Sequence, residues 1–168
     1  RERTLETVLA LMRETGVDVA PHLSCIGATE DTLRDILRRY QDAGIQRLVA
    51  LRGDLPSGMG DPGSFRYARD LVHFIRSESG DHFHIEVAAY PEIHPQARHA
   101  QDDLVHFREK VIAGADGAIT QYFYAADAYH QFITEIRAMG VDVPVTPGIM
   151  PITNYTQLTR FSDACSAE

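Results

Sequence analysis

Residues that can bind or polarise a small ligand stand at the C-terminal ends of five short apolar segments of the chain. The stretches in question are Pro21–Cys25, Leu51–Asp54, Ala88–Pro95, Thr120–Phe123 and Pro147–Pro151. They contain imidazole, guanidinium, carboxylate and amide side chains, which form charge-assisted hydrogen bonds with polar or anionic ligands. Because α/β folds place ligand sites at the C-terminal ends of parallel strands, we expect these stretches to share one site.

The apolar segments themselves predict β-strands, since each is short and rich in β-branched or apolar residues. Their predicted bounds are Val17–Cys25, Arg47–Leu51, His84–Tyr90, Ala118–Tyr124 and Val143–Met150. Strands that alternate with helices predict a parallel α/β sheet, either doubly wound or closed as a barrel.

Amphipathic helical patterns lie between the predicted strands, and each is followed by a glycine that can end a helix. The apolar stripes are Leu33, Ile36, Leu37 and Tyr40; Ala68, Leu71, Val72 and Ile75; Leu104, Phe107 and Val111; and Phe132, Ile133 and Ile136. Thr29 is the predicted N-cap of the first of these helices. The helices would cover the sheet and leave the strand ends open.

Composition limits the classes of partner. The chain has 168 residues, 44% of them hydrophobic, and a formal charge of −8. The acidic balance argues against a nucleic-acid or anionic-membrane surface, and no apolar run reaches the roughly 18 residues that span a bilayer. The two cysteines, Cys25 and Cys165, lie far apart in sequence, which is typical of a protein whose thiols stay reduced. We therefore expect a cytoplasmic location and no signal peptide.

Other interpretations of the same residues stay open. Gly58–Gly63 matches the dinucleotide pattern G-x-G-x-x-G, but it does not follow a strand directly, so a loop is favoured. Glu92 and His94, with Asp54, could serve a metal-dependent lyase or hydrolase on a barrel, although we expect no metal site. His22 alone is more typical of a hydrogen-bonded core histidine than of a ligand-binding one.

Five ordered blocks of sequence carry a specific resemblance. They are APHLSCI at 20–26, VALRGDLP at 49–56, VAAYPEIHPQA at 87–97, KVIAGADGAITQYFY at 110–124 and PGIMPITNYTQLTRF at 147–161. With these blocks the chain resembles the methylenetetrahydrofolate reductase family. The resemblance implies a (β/α)8 TIM barrel, of which residues 1–168 are expected to form about five central βα units of a single catalytic domain. The first strands, the last strand and the family's catalytic glutamate are expected to be absent from it.

The resemblance also implies an activity. FAD is the expected cofactor and NADH or NADPH the expected hydride donor, for reduction of 5,10-methylenetetrahydrofolate to 5-methyltetrahydrofolate in one-carbon and methionine metabolism. The expected partners are these small molecules and, in a homo-oligomer, further copies of the chain. A flavin- or folate-binding module without turnover is the non-enzymatic alternative.

The family's functional residues transfer position by position. The resemblance implies FAD contacts for His22, Arg52, Gly53, Asp54, Ala68, Tyr90, His94, Ala97, Asp103 and Lys110. It implies folate or nicotinamide contacts for Asp54, Gln121, Tyr129, Gln157 and Phe161. Asp54 is the expected catalytic residue, because a carboxylate there would stabilise a cationic iminium form of the substrate. Gln96, His106 and Glu109 depart from the family pattern, and the last replaces a base beside Lys110.

Overall fold

The computed structural model of this chain describes residues 2–53, 64–92 and 100–151, together with residues 154 and 159. The helices in these ranges are α1 (Glu2–Thr15), α2 (Glu30–Asp42), α3 (Ala68–Ser79), α4 (Ala100–Ile112) and α5 (Ala126–Ala138). The strands are β1 (His22–Ser24), β2 (Arg47–Leu51), β3 (His84–Ala89), β4 (Gly117–Tyr122) and β5 (Val145–Gly148). Among the described helices, none is long and apolar enough to cross a membrane.

The strands form one parallel sheet in the order β1-β2-β3-β4-β5. Each strand therefore pairs with the next one along the chain, and the order does not reverse within the described sheet. A doubly wound sheet needs such a reversal, whereas strands that follow one another around an arc are typical of a (β/α)8 barrel. The barrel fold is thus confirmed, and the doubly wound alternative is wrong.

The two faces of the sheet have different surroundings. Leu48 and Ala50 of β2 pair with Ile85 and Val87 of β3, and all four belong to the hydrophobic core under the helices. The helices contribute Leu33, Leu37, Leu71, Ile75, Phe107 and Ile136 to this core. Side chains alternate along a strand, so residues such as Glu86 lie on the opposite face, which lines the interior in a closed barrel.

The first strand is shorter than predicted. The sequence pattern predicts Val17–Cys25, but only His22–Ser24 pairs with β2. Val17 is 62% exposed, and Pro21 has no N–H to donate to a neighbouring strand. The apolar residues before Pro21 therefore connect α1 to β1 and do not extend the strand.

The other predicted elements are confirmed, with small differences at their ends. The second strand has the predicted bounds, and the fifth is reduced to Val145–Gly148. Thr29 caps α2 as predicted, since its hydroxyl accepts a hydrogen bond from the N–H of Thr32 at 3.2 Å. The predicted apolar stripes lie on α2, α3, α4 and α5.

Arg76, near the end of α3, joins several elements at the N-terminal end of the sheet. Its guanidinium donates to the carbonyl oxygens of Gly114 at 2.8 and 2.9 Å and of Phe83 at 2.8 Å. It also pairs with the Asp116 carboxylate at 2.5 Å, and that carboxylate accepts from the N–H of Ile85 at 2.7 Å. This Arg76 network fixes α3 to the chain that follows α4 and to the start of β3.

We predict that Arg76→Leu lowers the free energy of unfolding by about 2–4 kcal/mol, because charged hydrogen bonds to the part-buried carbonyls of Gly114 and Phe83 are lost. Urea denaturation measures the change. Arg34→Gln is the matched control, because it breaks the 2.8 Å ion pair with Glu78 between α2 and α3, where both groups meet solvent. Equal losses for the two variants would contradict the central role of the Arg76 network.

Candidate functional site

A cleft opens at the C-terminal ends of β2 and β3, between α3 and α4. Its volume is about 600 Å³, within the range of roughly 300–1,000 Å³ that ligand pockets occupy. The walls include residues that the resemblance assigned to FAD: Arg52, Gly53, Ala68, Tyr90, Asp103 and Lys110. Chain segments far apart in sequence thus bring these residues together, at the edge of the sheet where parallel α/β folds bind ligands.

The turn after β2 forms one wall of the cleft. The carbonyl of Arg52 accepts hydrogen bonds from the Ser24 hydroxyl at 3.0 Å and from the N–H of Ile26 at 2.9 Å. Gly53 follows with φ of +85°, and a Cβ there would overlap the Ser24 hydroxyl. A glycine is therefore required for the chain to turn this close to β1.

Lys110 of α4, the only lysine in the sequence, reaches into the cleft. Its ammonium donates to the carbonyl of Ala88 at 2.5 Å and lies 5.6 Å from the centre of the Phe107 ring. Burial of the ammonium lowers the pKa of Lys110 to about 8, and the Asp103 carboxylate partly opposes that shift. The side chain is thus a cation at neutral pH that stands close to its titration point, and it can attract an anionic ligand.

Four side chains form a cluster at the rim of the cleft: Tyr67, Arg69, His106 and Glu109. Arg69 pairs with Glu109 at 2.5 Å, and His106 lies 3.2 Å from the same carboxylate. The Tyr67 ring stacks on His106 with centroids 5.8 Å apart, and the Arg69 guanidinium lies 5.0 Å from the Tyr67 centroid. This rim cluster links the start of α3 to α4.

The ionisation of the rim cluster follows from these contacts. Burial opposes a charge on Glu109, but the hydrogen bonds from His106 and Arg69 outweigh it, so the pKa of Glu109 is below its usual value. The hydrogen bond to Glu109 in turn raises the pKa of Arg69. The pair is therefore ionised at neutral pH. The sequence singled out His106 and Glu109 only as departures from a family pattern, and it missed Tyr67 and Arg69.

Three other predicted site residues in the described ranges lie outside this cleft. His22 begins β1 with an exposed side chain, and Gln121 on β4 accepts from the N–H of Tyr122 at 3.1 Å. Tyr129 on α5 donates from its hydroxyl to the carbonyl of Val145 at 2.9 Å. The predicted site residues Asp54, His94, Ala97, Gln157 and Phe161 lie outside the described residues.

A second concavity, of about 430 Å³, lies at the opposite end of the sheet. Its walls include Arg76 and Asp116, which already bind each other in the Arg76 network. The ring nitrogen Nε2 of His82 lies 3.1 Å from the carbonyl of Ile45. Because these polar groups hold the fold together and barrels bind ligands at the other end, the C-terminal cleft is the candidate functional site.

The residues proposed for a metal ion are mostly outside the described part of the chain. Glu92 is described, whereas Asp54 and His94 are not. Within the described ranges, no group of three His, Cys, Asp or Glu side chains could hold a metal ion. The metal-dependent alternative therefore gains no support from these residues.

The fold and the cleft define a (β/α)-barrel protein whose candidate ligand site lies at the C-terminal ends of its strands. The family model described as methylenetetrahydrofolate reductase matches residues 1–168, and the chain belongs to that family. It is 47% identical over 163 residues to the 5,10-methylenetetrahydrofolate reductases of Salmonella typhimurium and Escherichia coli, covering 97% of this chain and 54% of each relative.

A eukaryotic relative extends the comparison. Methylenetetrahydrofolate reductase 2 of Saccharomyces cerevisiae is 40% identical over 151 residues, which cover 86% of this chain and 25% of that protein. The chain thus spans about half the length of the bacterial relatives and a smaller share of the yeast one.

Solved structures share the fold at low sequence identity. A phosphonopyruvate hydrolase in complex with oxalate and Mg²⁺ superposes with a TM-score of 0.65 at 15% identity, covering 95% of this chain and 54% of that one. A Clostridium thermocellum protein that binds two copies of 5-methyl-5,6,7,8-tetrahydrofolic acid gives a TM-score of 0.63 at 17% identity, with the same coverage. These similarities establish the barrel fold of the chain.

We predict that Gly53→Ala destabilises the protein by about 1–3 kcal/mol, because it adds both strain at positive φ and a clash with Ser24. Gly44→Ala is the matched control, since Gly44 also has positive φ, at +75°, but its Cβ would meet nothing within 4 Å. Removing the hydroxyl with Ser24→Ala should recover part of the loss in the Gly53→Ala background. Thermal or urea unfolding measures all four proteins, and equal losses at the two glycines would contradict the close-contact explanation.

Proposed function

We propose that this chain forms the flavin-binding part of a reductase that converts 5,10-methylenetetrahydrofolate into 5-methyltetrahydrofolate. FAD is the proposed cofactor, and NADH or NADPH the proposed hydride donor. The observation that carries the proposal is the meeting of Arg52, Gly53, Tyr90, Asp103 and Lys110 in one cleft. The resemblance implied a flavin contact for each of these residues, although they come from separate segments. Family membership supports the class of reaction.

The chemistry of the cleft fits a dinucleotide cofactor. Lys110 and Arg52 offer cationic N–H groups that suit phosphate oxygens, and the Asp103 carboxylate suits the hydroxyl groups of a sugar or ribityl chain. Tyr90, at the end of β3, offers an aromatic ring beside them. FAD, when bound, would supply a ring that takes hydride from the nicotinamide and passes it to the folate.

The residues of the chain would bind and orient the reactants. Lys110 has its ammonium fixed at 2.5 Å from the carbonyl of Ala88, so its charge stays at the wall of the cleft. The Arg52 main chain is fixed by bonds from Ser24 and Ile26. A ligand that binds here therefore meets charges already in place, which reduces the ordering cost of binding.

The substrate side of the proposal rests on residues at other strand ends. Asp54, next to Gly53 in sequence, is proposed to stabilise the cationic iminium form of methylenetetrahydrofolate with its carboxylate. Gln121, at the end of β4, is proposed to bind the pterin through its amide. Tyr129 would contribute its ring or its hydroxyl oxygen as an acceptor, because the hydroxyl proton is already donated to the Val145 carbonyl.

Gln157 and Phe161 complete the proposed substrate side. The amide of Gln157 suits the donor and acceptor groups of a pterin, and the ring of Phe161 suits stacking on the nicotinamide or the aminobenzoate. His22, His94, Ala97 and Ala68 stay proposed flavin contacts.

Two half-reactions test the proposed function. Without oxygen, NADH or NADPH should bleach the flavin absorbance of the purified protein, and methylenetetrahydrofolate should restore it. Asp54→Asn should slow the restoring step by roughly 100-fold, the scale of losing one electrostatic group at a reaction centre. The bleaching step should change by no more than about two-fold, since it forms no iminium cation beside the carboxylate.

Asp142→Asn is the control for the loss of one acidic charge, because Asp142 lies after α5 with 93% of its side chain exposed. A colourless protein that takes up no added FAD would count against the proposal, as would equal slowing of both steps by Asp54→Asn. A flavin that is reduced but never reoxidised by the folate would favour the binding-module alternative. Activity lost to a chelator would favour the metal-dependent one.

Lys110 gives the proposed flavin site a pH dependence. Because its pKa in the folded protein is about 8, the ammonium loses its proton as the pH rises through that value. FAD affinity should therefore fall by roughly 10-fold between about pH 7 and about pH 9, as one charged hydrogen bond is lost. Fluorescence titration at each pH measures the dissociation constant.

Lys110→Met is the comparison for this titration. It should bind FAD weakly at both pH values with little change between them. Since Lys110 is the only lysine, labelling side-chain amines with isotopic methyl groups reports its titration directly by NMR. A pH dependence that persists in Lys110→Met would assign the effect to another group.

A further inference from the structure

The Arg69–Glu109 pair of the rim cluster is an unusual feature for a cleft that is proposed to bind phosphates. Both residues line the cleft, and their side chains are 38% and 34% exposed. The Nη1 of Arg69 lies 2.5 Å from the Glu109 carboxylate, and the guanidinium rests over the Tyr67 ring. A cation therefore faces the ligand space with one donor already used by Glu109, while its Nε lies 3.6 Å from the Asp70 carboxylate.

Arg69 differs in this respect from Lys110. The ammonium of Lys110 donates to the main-chain carbonyl of Ala88, which is a neutral partner. The guanidinium of Arg69 instead donates to a carboxylate whose hydrogen bonds from His106 and Arg69 keep its pKa low. A phosphate that approaches Arg69 meets a guanidinium partly neutralised by Glu109 and must compete with it for N–H donors.

We propose that Arg69 is a further phosphate-binding residue of the cleft and that Glu109 competes with the ligand for it. Glu109 thereby weakens the binding of the cofactor's diphosphate. The inference rests on the proposed function, since it takes the diphosphate of FAD as the occupant of the cleft. Arg69 lies in the first turn of α3, next to the proposed contact Ala68, and its guanidinium lies over the Tyr67 ring at 5.0 Å from the centroid.

The geometry indicates that Glu109 competes with a phosphate for Arg69 and does not help the phosphate to bind. An arginine presents five N–H donors in one plane, so a phosphate can bind the donors that Glu109 does not use, or displace the carboxylate. In both cases the Glu109 anion withholds from the phosphate part of the positive charge and of the N–H donors that Arg69 would otherwise offer. Removing its charge leaves Arg69 and Lys110 in place and takes away an anion, so phosphate affinity should rise.

The test measures FAD and riboflavin affinity in the purified protein by quenching of flavin fluorescence. Glu109→Gln should tighten FAD by about two- to five-fold, which is the scale of a solvent-exposed ion pair. Arg69→Gln should weaken FAD by about 10-fold, the scale of a charged hydrogen bond. Riboflavin, which has no phosphate, should change by less than about two-fold in either variant, because Arg69 would have nothing anionic to bind.

The double variant separates competition for Arg69 from a general charge effect. When Arg69→Gln is already present, Glu109→Gln should lose most of its tightening effect, because coupled residues give non-additive changes. Glu78→Gln is the matched control. It removes a carboxylate of α3 that pairs with Arg34 of α2 at 2.8 Å, outside the cleft, and it should leave FAD affinity unchanged.

The outcomes distinguish this inference from the function on which it rests. If the wild-type protein binds FAD and Glu109→Gln leaves its affinity unchanged or weaker, the inference is wrong and the proposed flavin site stands. The same holds if FAD and riboflavin shift equally. If the wild-type protein binds neither flavin, the proposed function and the inference both fail. Tighter FAD with unchanged riboflavin, abolished by Arg69→Gln, supports the competition.

Discussion

The position of α3 relative to α4 is the constraint on which the cleft depends, and Arg76 fixes it. Its guanidinium bonds to Gly114, beyond the end of α4, and to Asp116, just before β4. Gly114 allows this approach, since a Cβ there would lie 2.8 Å from the Cγ of Arg76. The N-terminal end of the two βα units is thus held by charged hydrogen bonds inside the fold. The side chains at the opposite end are not needed for this attachment, so a ligand can replace their hydrogen bonds.

That division between a structural end and a functional end follows from the geometry of parallel strands. All strands point the same way, so the loops that lead from a helix into a strand lie at one end of the sheet. The loops that lead from a strand into a helix lie at the other end. At the structural end, Asp116 closes its network with the N–H of Ile85. At the end that carries the candidate site, bonds from Ser24 and Ile26 of the segment that includes β1 hold the main chain of the turn at Arg52. The side chains of this turn can therefore face a ligand without loss of the main-chain bonds that hold it.

Much of the fold could be predicted from the sequence, because most helices and strands have a characteristic local pattern of apolar residues. The apolar stripes predicted α2 to α5, with Thr29 as the N-cap of α2, and the short apolar runs predicted every described strand. The first strand was overestimated, because hydrophobicity does not reveal that Val17 pairs with none of the described strands. The order of strands could not come from pattern alone, since doubly wound and barrel folds share the same alternation of strands and helices.

The candidate site divides in the same way. Arg52, Gly53 and Tyr90 were predictable because they follow strands directly. Lys110 and Asp103 lie on α4 and were assigned to the site only through the resemblance. The rim cluster could not be predicted from the sequence, because its members meet only when α3 and α4 pack against each other in their observed positions. Residues 69 and 109 lie 40 positions apart, and a local pattern contains no information about that contact.

Lys110 shows how the fold gives up stability for a charge in the cleft. The pKa of its amine falls from 10.5 to about 8 on folding, so the folded protein holds its proton less tightly than the unfolded chain does. Below pH 8 both states are protonated and the cost of enclosing the ammonium is fully present, and stability recovers as the pH rises from about 8 to about 10.5. At neutral pH the enclosed charge therefore opposes folding. An anion bound beside Lys110 would remove part of that cost, so the binding of such an anion would stabilise the folded protein.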